Sequence, residues 1–249
     1  AGDAEHVYTI SRRSGDDGVE HFTLALDGAE LETTTDPARP LSLLIWHVNR
    51  SVIEHSDHLL LLHASGATLG DAAVVMPGDM EVGKTTLVTA LVRAGLSYLS
   101  DEVVAIDPDT LRLRAFPRAM SLDPGSWPLF PELEPHVPAE LARHLPNQWQ
   151  VPPAAIRADA AIDSAHARLV VFPRYEVGAG VRLTELSRAD ALLTVAQCAF
   201  NFHSAPERNL ALLGDVLRDC RCFTLLSDDL AAAVDAIVGL LRATTEERP

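Results

Sequence analysis

The sequence predicts an α/β protein in which a small β-rich module precedes a P-loop domain with a mostly parallel or mixed sheet. Three observations support this class. A glycine-containing loop at 78–85 follows the apolar run Val74, Val75 and Met76. Strand-like alternation is frequent in the first part of the chain. A buried-strand pattern at 167–173 lies among helical patterns further on.

The N-terminal part of the chain has the patterning of strands and turns. Alternating apolar and polar residues predict half-buried strands, and Asp27-Gly28 predicts the tight turn of a hairpin. We expect a β-rich module at 1–57 and the P-loop domain at 58–249. The elements predicted for the module are strands at 6–10, 22–27 and 29–33 and a helix at 41–52.

The P-loop domain contains alternating strand and helix patterns around one long irregular segment. We predict that residues 117–155 form this irregular segment, because seven prolines lie from Pro117 to Pro146. Gly95 is suited to end the helix after the P-loop, and Ser227 to cap the last helix. The predicted strands are 59–63, 72–76, 96–100, 103–106, 111–116, 167–173, 181–186 and 222–226, and the predicted helices are 84–94, 139–144, 187–200, 206–217 and 228–241.

Composition excludes several classes of function. The chain has 20 Lys and Arg residues against 35 Asp and Glu residues, a net charge of −15. Such a surface repels nucleic acid, so we expect no nucleic-acid partner. No apolar run approaches the ~20 residues of a membrane span, and no signal-peptide pattern is visible at the start. Three cysteines without metal-type spacing argue against disulfides and zinc, so we expect a cytoplasmic protein without a membrane partner.

The P-loop motif G-x-x-x-x-G-K-[ST] lies between a predicted strand and a predicted helix. Glycines let the backbone curl so that N–H groups point at a phosphate, and the helix N-terminus adds its dipole. Lys84 is expected to reach the β/γ-phosphates, and the Thr85 hydroxyl to bind Mg²⁺. The predicted nucleotide-binding residues are Gly78, Asp79, Met80, Glu81, Val82, Gly83, Lys84, Thr85 and Thr86.

An acidic pair, Asp101 and Glu102, follows a short predicted strand after the P-loop helix. In phosphoryl transfer, one carboxylate can orient and deprotonate a hydroxyl nucleophile while another holds the metal. Taken alone, an adjacent Asp–Glu pair is more often solvated surface charge. The pair therefore needs a second argument before it is assigned a function.

The spacing of the acidic pair from other residues of the chain supplies this second reason. The chain resembles the catalytic domain of HPr kinase/phosphorylase and its kinase-like relatives, which have a His, a P-loop and an acidic pair in this order. His63 stands 15 positions before Gly78, and Asp101 stands 17 positions after Lys84. The resemblance covers about 59–106 well and is weaker beyond.

The resemblance implies transfer of the γ-phosphoryl group of ATP, with Mg²⁺, to a Ser hydroxyl of a peptide or protein. It implies Asp101 as the general base with His63 hydrogen-bonded to it, Lys84 on the phosphates, and Thr85 and Glu102 at the metal. The chain looks less like the full-length bacterial enzyme than like the related enzymes found beside peptide-modification systems. Some of these enzymes phosphorylate the C-terminal Ser of a lasso-peptide precursor. The family tends to form oligomers.

Departures from the family pattern keep alternatives open. The acidic pair is Asp-Glu instead of Asp-Asp, Thr85 replaces Ser, and the Glu-x-Arg-Gly segment of the phosphorylase chemistry is missing. Arg118 is the nearest candidate to clamp a γ-phosphate or substrate, and a plain surface Arg is an equal alternative. A small-molecule kinase, a nucleotidyltransferase and a non-catalytic, nucleotide-gated peptide-binding module remain possible functions.

The segment 198–204, Cys-Ala-Phe-Asn-Phe-His-Ser, is unusual in composition. Asn201 and His203 are candidates to approach a ribose or the substrate from a helix end. An ordinary helix end followed by a loop before Pro206 is the more frequent outcome of such a pattern.

Overall fold

The computed structural model describes residues 6–80 and 82–246. Glu81, one of the predicted nucleotide-binding residues, lies outside the described residues. The division predicted between residues 57 and 58 stays a prediction. The chain forms two compact units, one of Ala1–His55 with Asp123–Trp149 and the other of Ser56–Leu122 with Gln150–Pro249.

Strands and helices are interspersed along the chain. In chain order they are β1 (Tyr8–Ser14), β2 (Glu20–Leu26), β3 (Ala29–Thr34), α1 (Arg39–Glu54), β4 (Leu60–Leu69), β5 (Ala72–Pro77), α2 (Lys84–Arg93), β6 (Ser97–Ser100), β7 (Val103–Ile106), β8 (Leu113–Arg114), β9 (Met120–Leu122), α3 (Ala139–Ala142), β10 (Trp149–Val151), α4 (Pro153–Ile156), β11 (Ser164–Tyr175), β12 (Val181–Glu185), α5 (Arg188–Gln197), α6 (Pro206–Leu217), β13 (Arg221–Ser227) and α7 (Leu230–Glu246). Three short 3₁₀ helices span Pro124–Leu129, Pro131–Leu133 and Phe202–Ser204.

The smaller unit contains a three-stranded antiparallel sheet in the order β1-β2-β3, with α1 packed on β2 and β3. Phe22 and Leu24 of β2 are buried. Asp27 and Gly28 both have positive φ, 50° and 82°, which is the conformation that a two-residue hairpin turn of this sequence requires. The predicted β-rich N-terminal module is confirmed.

The larger unit contains an eight-stranded mixed sheet. Its order is β12-β13-β11-β5-β4-β7-β8, with β6 also paired to β4. β11 runs parallel to both β5 and β13, whereas β4 is antiparallel to β5, β6 and β7. The α/β class with a mixed sheet is therefore confirmed.

Two pairs of helices cover this sheet. α2 and α7 pack on each other and on β4, and α7 also packs on β5 and β11. α5 and α6 pack on each other, with α5 on β13 and α6 on β11. Val75 of β5 shares a buried cluster with Val195 of α5 and Leu213 of α6. Val74 and Met76, on either side of Val75 along the strand, point to the opposite face.

Several predicted elements differ from the structure, including β4, β8 and the cap of α7. β4 continues to Leu69 instead of ending at residue 63. The prediction ended the strand too early because its second half consists of small and polar buried residues, which carry no apolar pattern. The strand predicted at 111–116 is reduced to β8. Asp229, instead of Ser227, caps α7, since its carboxylate accepts the N–H of Ala232 at 3.0 Å.

No helix in the described part of the chain combines the length and the apolarity that crossing a membrane requires.

Candidate functional site

The P-loop (78–85) leaves the buried strand β5 and enters α2. Gly83 is the N-cap of α2 with φ 90° and ψ 13°, a left-handed conformation that glycine adopts without strain. At Gly78, a Cβ atom would lie 3.1 Å from Cγ2 of Val82, so the side chain of Val82 would have to move. Glycine is thus favoured at position 83 by the backbone conformation and at position 78 by the nearby side chain of Val82.

Lys84 begins α2 and is largely buried. Its Nζ donates hydrogen bonds to the carbonyl oxygens of Gly78 at 2.8 Å and Asp79 at 2.5 Å, which folds the side chain back over the P-loop. Burial lowers the pKa of Lys84, and the negative charges of Asp79 and the acidic pair oppose that shift. Lys84 is also the only lysine in the sequence.

The backbone of His63, in β4, joins the beginning of the P-loop to the residue after α5. Its N–H donates to the carbonyl of Cys198 at 2.7 Å, and its carbonyl accepts the N–H of Gly78 at 3.3 Å. Burial lowers the pKa of His63, and the charge of Lys84 lowers it further. The neutral imidazole is therefore favoured beside the P-loop.

The acidic pair lies at the bend between β6 and β7. The hydroxyl of Ser100 accepts the N–H groups of Glu102 at 3.2 Å and Val103 at 2.9 Å, which holds the bend. The carbonyl of Glu102 accepts the N–H of Ala64, the residue after His63 in β4. Local hydrogen bonds thus fix the acidic pair next to the strand that supports the P-loop.

The carboxylate of Asp101 is 1% exposed and accepts four hydrogen bonds. Oδ1 accepts from the hydroxyl of Tyr98 at 2.8 Å and from Nε of Arg118 at 3.0 Å. Oδ2 accepts from the N–H of Ser121 at 3.1 Å and from Nη2 of Arg118 at 3.3 Å. Among the described residues, no hydrogen bond joins His63 to Asp101. The contact that the family resemblance implies is absent because other donors occupy this carboxylate.

Glu102 is the more accessible carboxylate of the pair, with its side chain 35% exposed. Its Oε2 lies 2.6 Å from Nη1 of Arg118. Burial raises the pKa of Glu102 and the charge of Asp101 adds to this, whereas Arg118 and Lys84 act against it. Glu102 therefore lies within the electrostatic field of both Lys84 and Asp101.

Arg118 is not a plain surface arginine. Its side chain is 17% exposed and contacts both carboxylates of the acidic pair. Nη2 also donates to the hydroxyl of Ser121 at 3.0 Å. The sequence singled out Arg118 as a basic residue near the site, and the structure places it against the acidic pair.

β9 connects this cluster to the P-loop helix. The hydroxyl of Ser121 accepts from Nε2 of Gln150 at 3.1 Å, while Thr89 of α2 donates to the sulfur of Met120 at 3.4 Å. Tyr98 and Ser121 were not recognised from the sequence, because neither carries a motif. Their only sequence signal is position, since Tyr98 lies three residues before Asp101 and Ser121 three residues after Arg118.

The segment after α5 lies along the edge of β4 (the 198–201 segment). Ala199 pairs with Leu62 in an antiparallel bridge, and the N–H of Phe200 donates to the carbonyl of Leu61 at 2.9 Å. The amide side chain of Asn201 accepts from the N–H of Leu61 at 3.0 Å and donates to the carbonyl of Leu59 at 2.9 Å. Asn201 thus secures the sheet.

The described residues contain no cluster of three or more His, Cys, Asp or Glu side chains that would hold a metal by itself. The predicted donors, the Thr85 hydroxyl and the Glu102 carboxylate, are hard oxygen ligands of the kind that Mg²⁺ accepts. Mg²⁺ commonly takes one or two protein oxygens and completes its shell with phosphate oxygens and water. The donor set therefore fits a nucleotide-bound Mg²⁺ and not a free structural metal.

No protein-family model matches the sequence. A search of curated proteins likewise gives no match. Among solved structures, the chain is similar to the Hpr(Ser) kinase/phosphatase from Coxiella burnetii, with a TM-score of 0.36 and 12% sequence identity, over 75% of this chain and 92% of that chain. A TM-score this low establishes neither a shared fold nor a shared function.

Proposed function

We propose that the chain is an ATP-dependent phosphotransferase of the HPr-kinase type, acting on a Ser hydroxyl of a peptide or protein. One observation carries the proposal: Lys84 lies buried at the start of α2, with its ammonium on the P-loop carbonyls and the acidic pair within its electrostatic reach. A glycine turn that only began a helix would not require a buried ammonium opposite two carboxylates.

The P-loop amides and the N-terminus of α2 bind the phosphates of ATP, because unpaired N–H groups and the helix dipole favour anions there. Lys84 exchanges the carbonyl oxygens of Gly78 and Asp79 for phosphate oxygens, a charge-assisted contact that stabilises the developing negative charge. The nucleotide-binding residues are those predicted at 78–86. Thr85 and Glu102 would hold Mg²⁺, which would supply neutralisation of phosphate charge.

In the transfer step, a bond forms between the Ser oxygen and the γ-phosphorus as the bond to the ADP oxygen breaks. The proton of the hydroxyl passes to Asp101, and ADP leaves. Asp101 can take this part only if one of its four donors moves away, and Tyr98 and Ser121 each donate a single bond to it. His63, whose pKa is lowered by burial, supports the P-loop through its backbone.

The class of acceptor molecule follows from the sequence resemblance. A precursor peptide such as those of lasso-peptide tailoring is the acceptor class that we favour from the sequence resemblance. The rival functions are transfer to a small molecule, transfer of a nucleotidyl group, and nucleotide-gated peptide binding without catalysis. All three rival functions use the P-loop. The first attaches a phosphate to a small molecule, the second attaches a nucleotidyl group, and the third attaches nothing.

Mass spectrometry of Ser-containing peptides incubated with the protein, ATP and Mg²⁺ tests the proposal. The panel includes peptides with Ser at the C-terminus, and Lys84→Ala serves as the inactive control. We expect a phosphate-sized mass gain that the variant lacks. A nucleotidyl-sized gain would replace the reaction, and bound ATP without any gain would favour the binding module.

A further inference from the structure

Phe200 exposes an aromatic ring beside the P-loop. The residue is 43% exposed, and its ring centroid lies 5.4 Å from that of His63 at an interplanar angle of 40°. Aromatic side chains are costly to leave in water and are frequent anchors in binding sites. The role proposed for the P-loop does not use this ring.

The backbone around Phe200 is held firmly although the ring is exposed. The N–H of Phe200 and the carbonyl of Cys198 both bond to β4, to Leu61 and His63 respectively. Asn201 adds two side-chain hydrogen bonds to the same strand. An exposed ring on a rigid backbone is pre-organised, so a ligand that contacts it loses little additional conformational freedom of the protein.

His63 links this ring to Lys84, because the two ring centroids lie 5.4 Å apart and the charge of Lys84 acts on the His63 imidazole. The carbonyl of His63 accepts the N–H of Gly78, and the carbonyl of Gly78 accepts Nζ of Lys84. The lysine of a P-loop serves the β/γ-phosphates, whereas the loop amides cradle the α/β-phosphates. Proximity of the His63 imidazole, on which Phe200 packs, to Lys84 favours a position of the ring nearer the transferred phosphate than the nucleoside.

We infer that Phe200 is a specificity-determining residue that contacts an apolar side chain adjacent to the acceptor Ser. This inference rests on the proposed function and names its substrate class: a peptide in which an apolar residue precedes or follows the Ser that is phosphorylated. The ring excludes water from that side of the acceptor and gives no favourable contact to an anionic neighbour such as Asp.

Stacking of the adenine on Phe200 is the competing explanation for an exposed aromatic residue near a nucleotide. The position of His63, between the ring and the first residue of the P-loop, disfavours it. The two explanations predict different defects, since one concerns the peptide and the other the nucleotide.

The experiment uses a set of Ser peptides whose neighbouring residue is Phe, Leu, Gly or Asp. kcat/KM is measured for the full chain, for Phe200→Ala and Phe200→Leu, and for Leu210→Ala. Leu210 is the matched control, because it is 44% exposed and lies on α6. We expect Phe200→Ala to lower kcat/KM about tenfold for the Phe and Leu peptides, the effect of a lost apolar contact. The Gly peptide and ATP affinity should stay unchanged, and Phe200→Leu should recover part of the loss.

Two outcomes would overturn the inference alone: phosphorylation without preference for apolar neighbours, or the same preference in Phe200→Ala and the unaltered chain. A weaker ATP affinity in Phe200→Ala, with peptide preference unchanged, would assign the ring to the adenine. If ATP binds and no peptide of the set or of the broader panel gains phosphate, the proposed function fails and the inference with it.

Discussion

The guanidinium of Arg118 holds the buried carboxylate of Asp101 with two hydrogen bonds, from Nε at 3.0 Å and from Nη2 at 3.3 Å. The third nitrogen, Nη1, contacts Glu102 at 2.6 Å. A planar fork that spans both members of an acidic pair fixes their separation, which a lysine at this position would not do. Arg118 therefore organises the two carboxylates that the proposed reaction needs.

Asp101→Asn should destabilise the protein. The substitution removes one of the two carboxylates that pair with the largely buried Arg118, and breaking a buried pair costs about 3 kcal/mol. Urea unfolding measures the loss. Asp107→Asn is the matched control, because Asp107 pairs with Arg114, whose side chain is 58% exposed. Its loss should be clearly smaller, and an equal loss in both variants would contradict the role given to burial.

The same variant tests the assignment of the base. If Asp101 accepts the proton, Asp101→Asn should retain ATP binding, since the P-loop is intact, while phosphate transfer slows about 100-fold or more. Single-turnover transfer to a peptide, measured beside ATP affinity, separates the two effects. Full activity in Asp101→Asn would show that its part is to hold Arg118 and nothing more.

His63 should make stability depend on pH. A histidine of the unfolded chain takes up a proton as the pH falls through about 6.5, whereas the lowered pKa of His63 delays this in the folded chain. The unfolded state then binds more protons, so the free energy of unfolding decreases as the pH falls through 6.5. His63→Gln should flatten this decrease between pH 7.5 and 5.5 (a range of about one unit on each side of the unfolded pKa), as followed by urea unfolding.

The comparison for that experiment is His58→Gln, a change at an exposed position near the start of β4. Flattening of the same size in both variants would contradict the assignment to His63. Chemical unfolding at several pH values gives the slope directly, whatever the substrate is.

Gly83→Ala should weaken both stability and ATP binding. The left-handed backbone at Gly83 costs a residue with a Cβ about 1 kcal/mol, although the added atom would meet nothing within 4 Å. Gly214→Ala is the contrasting control, since Gly214 lies within α6 and its Cβ also meets nothing within 4 Å. It should gain about 0.5 kcal/mol. Urea midpoints of the two variants should therefore shift in opposite directions, and a shared direction would contradict this account.

Lys84→Ala should lower the rate of phosphate transfer about 100-fold or more, because a preorganised cation at the transferred phosphate is lost. Arg174→Ala removes the same charge from an exposed side chain and should leave the rate unchanged. Equal rates in all three proteins would exclude Lys84 from the reaction. The rate is measured by stopping the reaction at set times and quantifying the phosphorylated peptide.

The P-loop and its flanks were predictable because their signal is local. Gly83 needs a left-handed backbone, Lys84 starts the helix, and β5 is a continuous apolar run, so each feature is written into adjacent residues. The mixed sheet followed from the same kind of reasoning. The second half of β4 did not, since alanine, glycine and serine in a buried strand carry no alternation to detect.

The hydrogen bonds of Asp101 were not predictable. The carboxylate is shared by Tyr98, Arg118 and Ser121, and which of these donors reaches it depends on the return of the chain through β9. Spacing within a family motif placed His63 near the P-loop but implied a bond to Asp101 that the structure lacks. Sequence distance sets which elements are neighbours, whereas competition among donors decides which bonds form.

The position of Lys84 has a practical consequence for chemical probing. Since no other lysine exists in the sequence, amine-selective acylation of side chains has a single target, at the mouth of the P-loop. The rate of that acylation reports how firmly the ammonium is held by the Gly78 and Asp79 carbonyls, and its suppression by a ligand reports occupancy. Among the side chains of this sequence, Lys84 thus provides a site-specific handle that needs no engineered label.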